Sequence, residues 1–147
     1  MQKHFHLRVR AIIRSGERVL LARMKGKSYS FLPGGHHEVG ETLVQTLVRE
    51  LREELGVEAV VKNYLGVVEN GWPEDEEYHY EINHIFTADV PELRAGASPA
   101  SKEDELEFFW SRADEFERFD LRPTMMRALI ASWMNGDARI WQEGNFE

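Results

Sequence analysis

Three glutamates, Glu50, Glu53 and Glu54, stand at i, i+3 and i+4 inside a run that repeats leucine every fourth residue. At about 100° per residue these positions span an arc of about 100°, on one shoulder of the leucine stripe. Like charges at that spacing repel, so the arrangement calls for open solvent or for a cation that offsets the repulsion. Carboxylate oxygens suit hard divalent ions, and Mg²⁺ commonly keeps several waters while sharing one or two carboxylates with substrate phosphates. A solvated helix face is the plainer alternative. The segment ahead of the run weighs against it, because Leu32-Pro33-Gly34-Gly35-His36-His37-Glu38-Val39-Gly40-Glu41 leads straight into the leucines. Its glycines permit close backbone approach, and a helix start presents unpaired N–H groups able to hold an anion. Loop and helix together read as a metal and phosphate site.

The elements that must hold these residues follow from periodicity. Leu43, Leu47, Leu51 and Leu55, joined by Val44 and Val48, predict a helix from Thr42 that Gly56 stops. Alternation from Phe5 to Arg14 predicts a strand burying Phe5, Leu7, Val9 and Ala11, with His6, Arg8 and Arg10 on a solvent face. Ser15-Gly16-Glu17 then turns the chain into Val19–Ala22, a predicted antiparallel hairpin. Further strands are expected at Ser30–Leu32, Val57–Val68, Tyr78–Val90 and Leu106–Trp110, with an acidic loop from Pro73 to Glu77 and another loop from Pro91 to Glu103. One helical turn at Ala113–Phe116 and a helix at Pro123–Met134, ending near Asn135-Gly136, complete the reading. Strands around a central and a C-terminal helix make the fold class α+β.

Composition limits what such a site serves. The 26 acidic residues exceed the 18 basic ones and leave a net charge of −8, which disfavours duplex nucleic acid as a partner. Positive charge for a phosphate ligand must then arrive largely with a cation. Zero cysteines exclude a disulfide framework, a thiolate zinc site and a thiol nucleophile. A hydrophobic fraction of 42% and a charged fraction of 30% are ordinary for a globular protein, and no linker or repeat divides residues 1–147, so one domain is expected. Without a signal-like apolar run or a membrane span, the expected location is cytoplasmic and no membrane partner is expected.

The residues also match a family. Gly35, five residues, Glu41, seven residues, and Arg49-Glu50-Leu51-Arg52-Glu53-Glu54-Leu55-Gly56-Val57 resemble the complete Nudix box, with every fixed position filled. The resemblance implies a Nudix fold, with a mixed β-sheet sandwiched between α-helices, and hydrolysis of a nucleoside diphosphate linked to another moiety. Mg²⁺, with Mn²⁺ as a substitute, would be the cofactor. Carried over, Glu50, Glu53, Glu54 and the Gly35 carbonyl would hold metal, Arg49 would orient the glutamates, and Glu41 would be a structural or metal-linked carboxylate. Glu38 fits the family's frequent loop glutamate. The base that takes the water proton falls either to a box glutamate, Glu50 or Glu53, or to a later acidic loop, for which Glu103 and Glu105 are the candidates. Dimers are common in the family, which leaves a homodimer open.

Other residues carry weaker signals. Arg8, Arg10, Arg23, Lys25 and Lys27 concentrate positive charge ahead of the glycine loop and are candidates to contact substrate phosphate, as are Gly34 and Gly35 within it; for Arg8 and Arg10 the solvent face of a strand is the favoured reading. His36 and His37 read as hydrogen-bonding or phosphate-facing. His79 and His84 fall on opposite faces of a strand, which argues against a shared zinc site. Glu81 and Asn83 share a face and are candidates to line a pocket. Tyr29, Phe31, Trp72, Tyr78 and Tyr80 are all candidates to stack on a base, and Trp133 and Trp141 to pack the last helix or a partner. Two functions from different classes remain, a metal-dependent pyrophosphohydrolase and a Nudix-like domain that binds a nucleotide metabolite without turnover. The complete set of glutamates favours the enzyme.

Overall fold

A computed structural model describes residues 1–146. In chain order the strands and helices are β1 (Gln2–Ile12), β2 (Arg14–Ser15), β3 (Arg18–Met24), β4 (Gly34–His36), α1 (Leu43–Leu55), β5 (Val60–Glu74), β6 (Glu77–Asp89), β7 (Leu106–Arg112), α2 (Met126–Met134) and β8 (Trp141–Phe146). The start of α1 is fixed by a reciprocal cap: the Thr42 hydroxyl accepts from the Gln45 N–H, and the Gln45 side chain accepts from the Thr42 N–H. Gly56 ends the helix in the left-handed conformation, its N–H donating to the Arg52 carbonyl. The predicted helix is therefore present with its predicted limits.

A five-stranded mixed sheet runs β4-β1-β6-β5-β8, with β1 parallel to β6 and β5 parallel to β8, and a three-stranded antiparallel sheet runs β2-β3-β7. Two apolar clusters hold the layers together. Leu47, Leu51 and Leu55 of α1 pack with Val9, Ala11, Leu20, Phe86 and Phe108, whereas Leu129 and Ile130 of α2 pack with Ile12, Leu21, Val68, Ile85 and Trp141. Alternate residues of β1 and β6 enter different clusters, so the larger sheet lies between the two helices.

Several expectations are corrected. The hairpin partner of β3 is only Arg14–Ser15, because β1 continues in the other sheet beside β6. Ser30 and Phe31 make isolated bridges, and the strand near the glycines is Gly34–His36. The acidic segment shrinks to a tight turn at Asp75-Glu76, since β5 and β6 pair up to Glu74 and Glu77. The last helix begins at Met126, three residues after Pro123. A strand that periodicity missed, β8, sets Trp141 into the core at 3% exposure.

Candidate functional site

The pairing register places a polar stripe on one face of the larger sheet. His4, His79 and Trp72 stand side by side, followed by His6, Glu81 and Asn70, then Arg8, Asn83 and Val68, and finally Arg10 and Ile85. This face floors a cleft of about 1310 Å³, whose walls include Glu50 and Glu54 of α1, His36 of β4, and the loop carrying Glu103 and Glu105. The alternation in β1 therefore holds at Val9 and Ala11, which are buried, but Phe5 is exposed, and the side expected to meet solvent meets the cleft. Arg8 donates to Glu81 at 2.6 Å and keeps a sealed Nε with no hydrogen-bond partner. Arg10 donates to the Leu32 carbonyl at 3.1 Å and lies over the Phe31 ring. Lost hydration pulls the Arg10 guanidinium down to about 10, which leaves it charged at neutral pH.

The carboxylates meet the cleft beside the edge strand β4. Gly34 has φ +137° and approaches the β1 backbone so closely that an added Cβ would sit 2.0 Å from the Val9 carbonyl oxygen. A Cβ on Gly35 would land 2.5 Å from the Glu50 carboxylate. Glycine at the first position thus lets the loop backbone lie against β1, and at the second against α1. Glu54 is only 6% exposed, accepts from the Gly34 N–H, and leaves Oε2 buried without a partner. Burial pushes its carboxyl up to about 8, against the opposing pull of Arg10. Burial likewise raises Glu50. These groups fit a hard divalent cation: the donors are all oxygen, one is orphaned, and the costly negative charge needs a counter-ion.

Arg49 ties the cluster together. Its Nε and Nη2 donate to the two oxygens of Glu41 at 2.7 and 3.0 Å, Nη1 donates to Glu50 at 3.0 Å and Glu53 at 3.4 Å, and Nη2 also reaches the His36 carbonyl at 3.1 Å. The fork holds the Glu41 carboxyl down at about 2. Lysine lacks this planar fork. Arg49→Lys is expected to weaken metal affinity or activity on the order of 10- to 100-fold, as loss of an orienting partner does. Metal titration and initial rates check this, and unchanged values in a folded variant would remove the orienting role.

The remaining candidates are distributed unevenly. Glu103 and Glu105 are exposed on the cleft wall, and their loop is anchored by the Lys102 N–H donating to the Glu54 carbonyl at 2.7 Å and the Lys25 N–H donating to the Glu105 carbonyl at 2.8 Å. Glu53 is more exposed than Glu50 and touches the cluster through Arg49. Arg23 lies outside the cleft, donating to Glu107 at 2.6 Å and covering Phe109, and Lys27 is exposed in the loop after β3. Neither is among the residues that line the cleft with Arg8 and Arg10. His36 lines the cleft, while His37 bonds Thr46 at 2.8 Å. Glu81 and Asn83 are both buried and line the cleft. Of the aromatic candidates, Tyr29, Phe31 and Trp72 reach it, whereas Tyr80 stacks between Phe5 and Phe146. Sequence reasoning missed Asn70, and also Arg122, which lies over Tyr29 and pairs with Asp120 at 2.8 Å.

The fold and this loop–helix cluster define a class. The NUDIX domain family model matches residues 4–132, and the chain belongs to that family. It is 35% identical over 111 residues to an ADP-ribose pyrophosphatase of Methanocaldococcus jannaschii, covering 72% of this chain and 62% of that one. It is 33% identical over 128 residues to a CTP pyrophosphohydrolase of Escherichia coli K12, covering 84% and 87%. With the NAD-capped RNA hydrolase NudC of Pectobacterium atrosepticum it shares 36% identity over 122 residues, 80% of this chain, but it spans only 43% of that protein's length. Among solved structures, the MutT protein from Methanosarcina mazei superposes with a TM-score of 0.69 at 23% identity, covering 93% of this chain and 99% of that one. The α+β Nudix fold is thereby established. Among the described residues, no helix is long and apolar enough to cross a membrane.

Proposed function

We propose that the protein is a divalent-metal-dependent hydrolase that cleaves a pyrophosphate linkage in a small nucleoside diphosphate derivative. The observation that carries this reading is the meeting, in one cleft, of an oxygen-only carboxylate cluster with two arginines rising from the sheet floor. Glu50, Glu53 and Glu54, with the Gly35 backbone, would hold Mg²⁺ or Mn²⁺. When bound, such an ion supplies neutralisation of phosphate charge and acidification of a water. The chain's own residues do the rest. Arg8 and Arg10 bind phosphoryl oxygens, and Tyr29, Phe31 or Trp72 packs the base or its appended group. Glu103 or Glu105, or Glu50 itself, takes the proton from water as its oxygen attacks phosphorus. The bridging P–O bond breaks, and the two products each leave with a phosphate terminus. A cytoplasmic setting belongs to the same proposal, and the lack of cysteine is compatible with it.

The names of the relatives supply the substrates to try first. A metal-supplemented panel of nucleoside triphosphates, ADP-ribose, dinucleoside polyphosphates and sugar nucleotides, read by phosphate or pyrophosphate release, is expected to show turnover that EDTA abolishes. No turnover on any of them, together with tight nucleotide binding, would replace the enzyme with a sensor.

A further inference from the structure

A second group of metal-ligating side chains lies at the far end of the same sheet face, away from the carboxylate cluster. His4 of β1 is directly opposite His79 of the parallel strand β6, and Glu77 lies two residues before His79 on the same face. The ligand atoms of these three residues fall within 4.8 Å of one another. His4 Nε2 is 3.0 Å from Glu77 Oε2, and His79 Nε2 is 3.7 Å from that oxygen. These two separations bracket the roughly 3.3 Å edge expected of a tetrahedron with bonds of about 2.0–2.1 Å.

Two details separate this group from a simple ion-pair cluster. Despite its distance from Glu77, His4 Nε2 is sealed from solvent and has no hydrogen-bond partner, so the pair is not aligned as donor and acceptor. His79 is held from behind, its Nδ1 3.0 Å from His6 Nε2, which aims Nε2 at the carboxylates. A metal-binding histidine is usually oriented in this way, by a partner on its other ring nitrogen. Glu74 Oε2, 3.3 Å from His79 Nε2, stands ready as a fourth donor.

We propose that His4, His79 and Glu77 form a second metal site, for a borderline transition ion such as Zn²⁺, with Glu74 or a water completing four-coordination. Imidazole nitrogens select such ions over Mg²⁺, whereas the oxygen-only cluster on α1 has the opposite preference. The site is coupled to the cleft through stacking. The His79 ring lies on Trp72 with centroids 5.3 Å apart and planes 12° apart, and His6 links on to His36 at 3.2 Å. Trp72, Glu74 and His36 all line the cleft, so an ion here stiffens the wall against which the distal part of a substrate rests.

The test titrates Zn²⁺ alone into the metal-stripped full chain, in competition with a chromophoric chelator. Wild type and the Glu53→Gln/Glu54→Gln variant are each expected to take up one tight Zn²⁺ that excess Mg²⁺ does not displace. His4→Ala, His79→Ala and Glu77→Gln are expected to lose it, and His6→Ala to weaken it about 10- to 100-fold. Circular dichroism melts without metal confirm folding; should His79→Ala not fold, His4→Ala decides, since His4 lies near the start of its strand. Zn²⁺ binding that survives His4→Ala, or that disappears with Glu53→Gln/Glu54→Gln alone, overturns the proposal. None of these readouts depends on turnover, so the site stands or falls apart from the hydrolase reading.

Discussion

Glu53→Gln is expected to remove metal-dependent turnover almost entirely while leaving the protein folded. The side chain is 52% exposed and its contact to Arg49, at 3.4 Å, is the longest that this guanidinium makes with Glu41, Glu50 or Glu53. An exposed, weakly tethered substitution changes stability by no more than about 0.5 kcal/mol. Its cost to catalysis is of another order. A cation that neutralises pyrophosphate charge supplies several kcal/mol, and each 1.36 kcal/mol is tenfold in rate, so a loss of at least about 100-fold follows. Initial rates across a Mg²⁺ titration check it, and near-normal rates in the folded variant would remove Glu53 from the metal set. Glu103→Gln and Glu105→Gln form the natural contrast. Whichever carries the base is expected to lower kcat by about 10²- to 10⁴-fold while leaving metal binding in place, because neither belongs to the group that would hold the ion. If neither does, the base lies in the box itself.

What the chain disclosed about itself depended on the range of the interaction. The central helix was readable to its ends because its signals are local: a leucine every fourth residue, a capping threonine and a stopping glycine. The carboxylate cluster was readable for the same reason, since one helix and the loop before it carry its side chains. The cleft floor was not. Period-two alternation separates the two faces of β1 but is blind to what covers each one, and Arg8 and Arg10 met a cleft only because β6, more than 70 residues on, pairs beside them. Arg23 drew attention through its nearness in sequence to the glycine loop, yet a partner from β7 claims it. The His4–Glu77–His79 group shows the limit most plainly. Spacing ruled out His79 with His84, and those two do face opposite ways, but His4 reaches His79 from a parallel neighbour that no spacing reveals. Trp141 entered the core on a strand whose residues after it, Gln142 to Phe146, are exposed, so no apolar pattern announced it.

Stability in the absence of metal is expected to fall as pH rises through the neutral range, and Glu54 is the reason. Its carboxyl is held near pH 8 by burial, against an ordinary value of 4.5. Between those values the unfolded chain has released the proton that the folded chain retains. The unfolded state then binds fewer protons, which makes the dependence of unfolding free energy on pH negative. The loss begins near the lower value and levels off above the upper one. One pKa unit corresponds to about 1.4 kcal/mol, so the swing is on the order of a few kcal/mol. Histidines act in the opposite direction: burial lowers His6, His36 and His84, and these add stability as pH rises toward 6.5 and nothing further above it. Subtracting the pH–melting curve of Glu54→Gln from that of EDTA-treated wild type cancels the histidine contribution and leaves the carboxyl. Glutamine fills the same space without the ionisation, so the variant is expected to lose the Glu54 slope and to melt higher than wild type at alkaline pH. Mg²⁺ reverses the order. It requires the carboxylate, displaces the proton, and is therefore expected to stabilise wild type increasingly as pH rises while giving the variant less. A difference curve that stays flat between about pH 5 and 8 would mean that the buried carboxyl ionises at its ordinary value, and the counter-ion argument for a cation at Glu54 would fall with it.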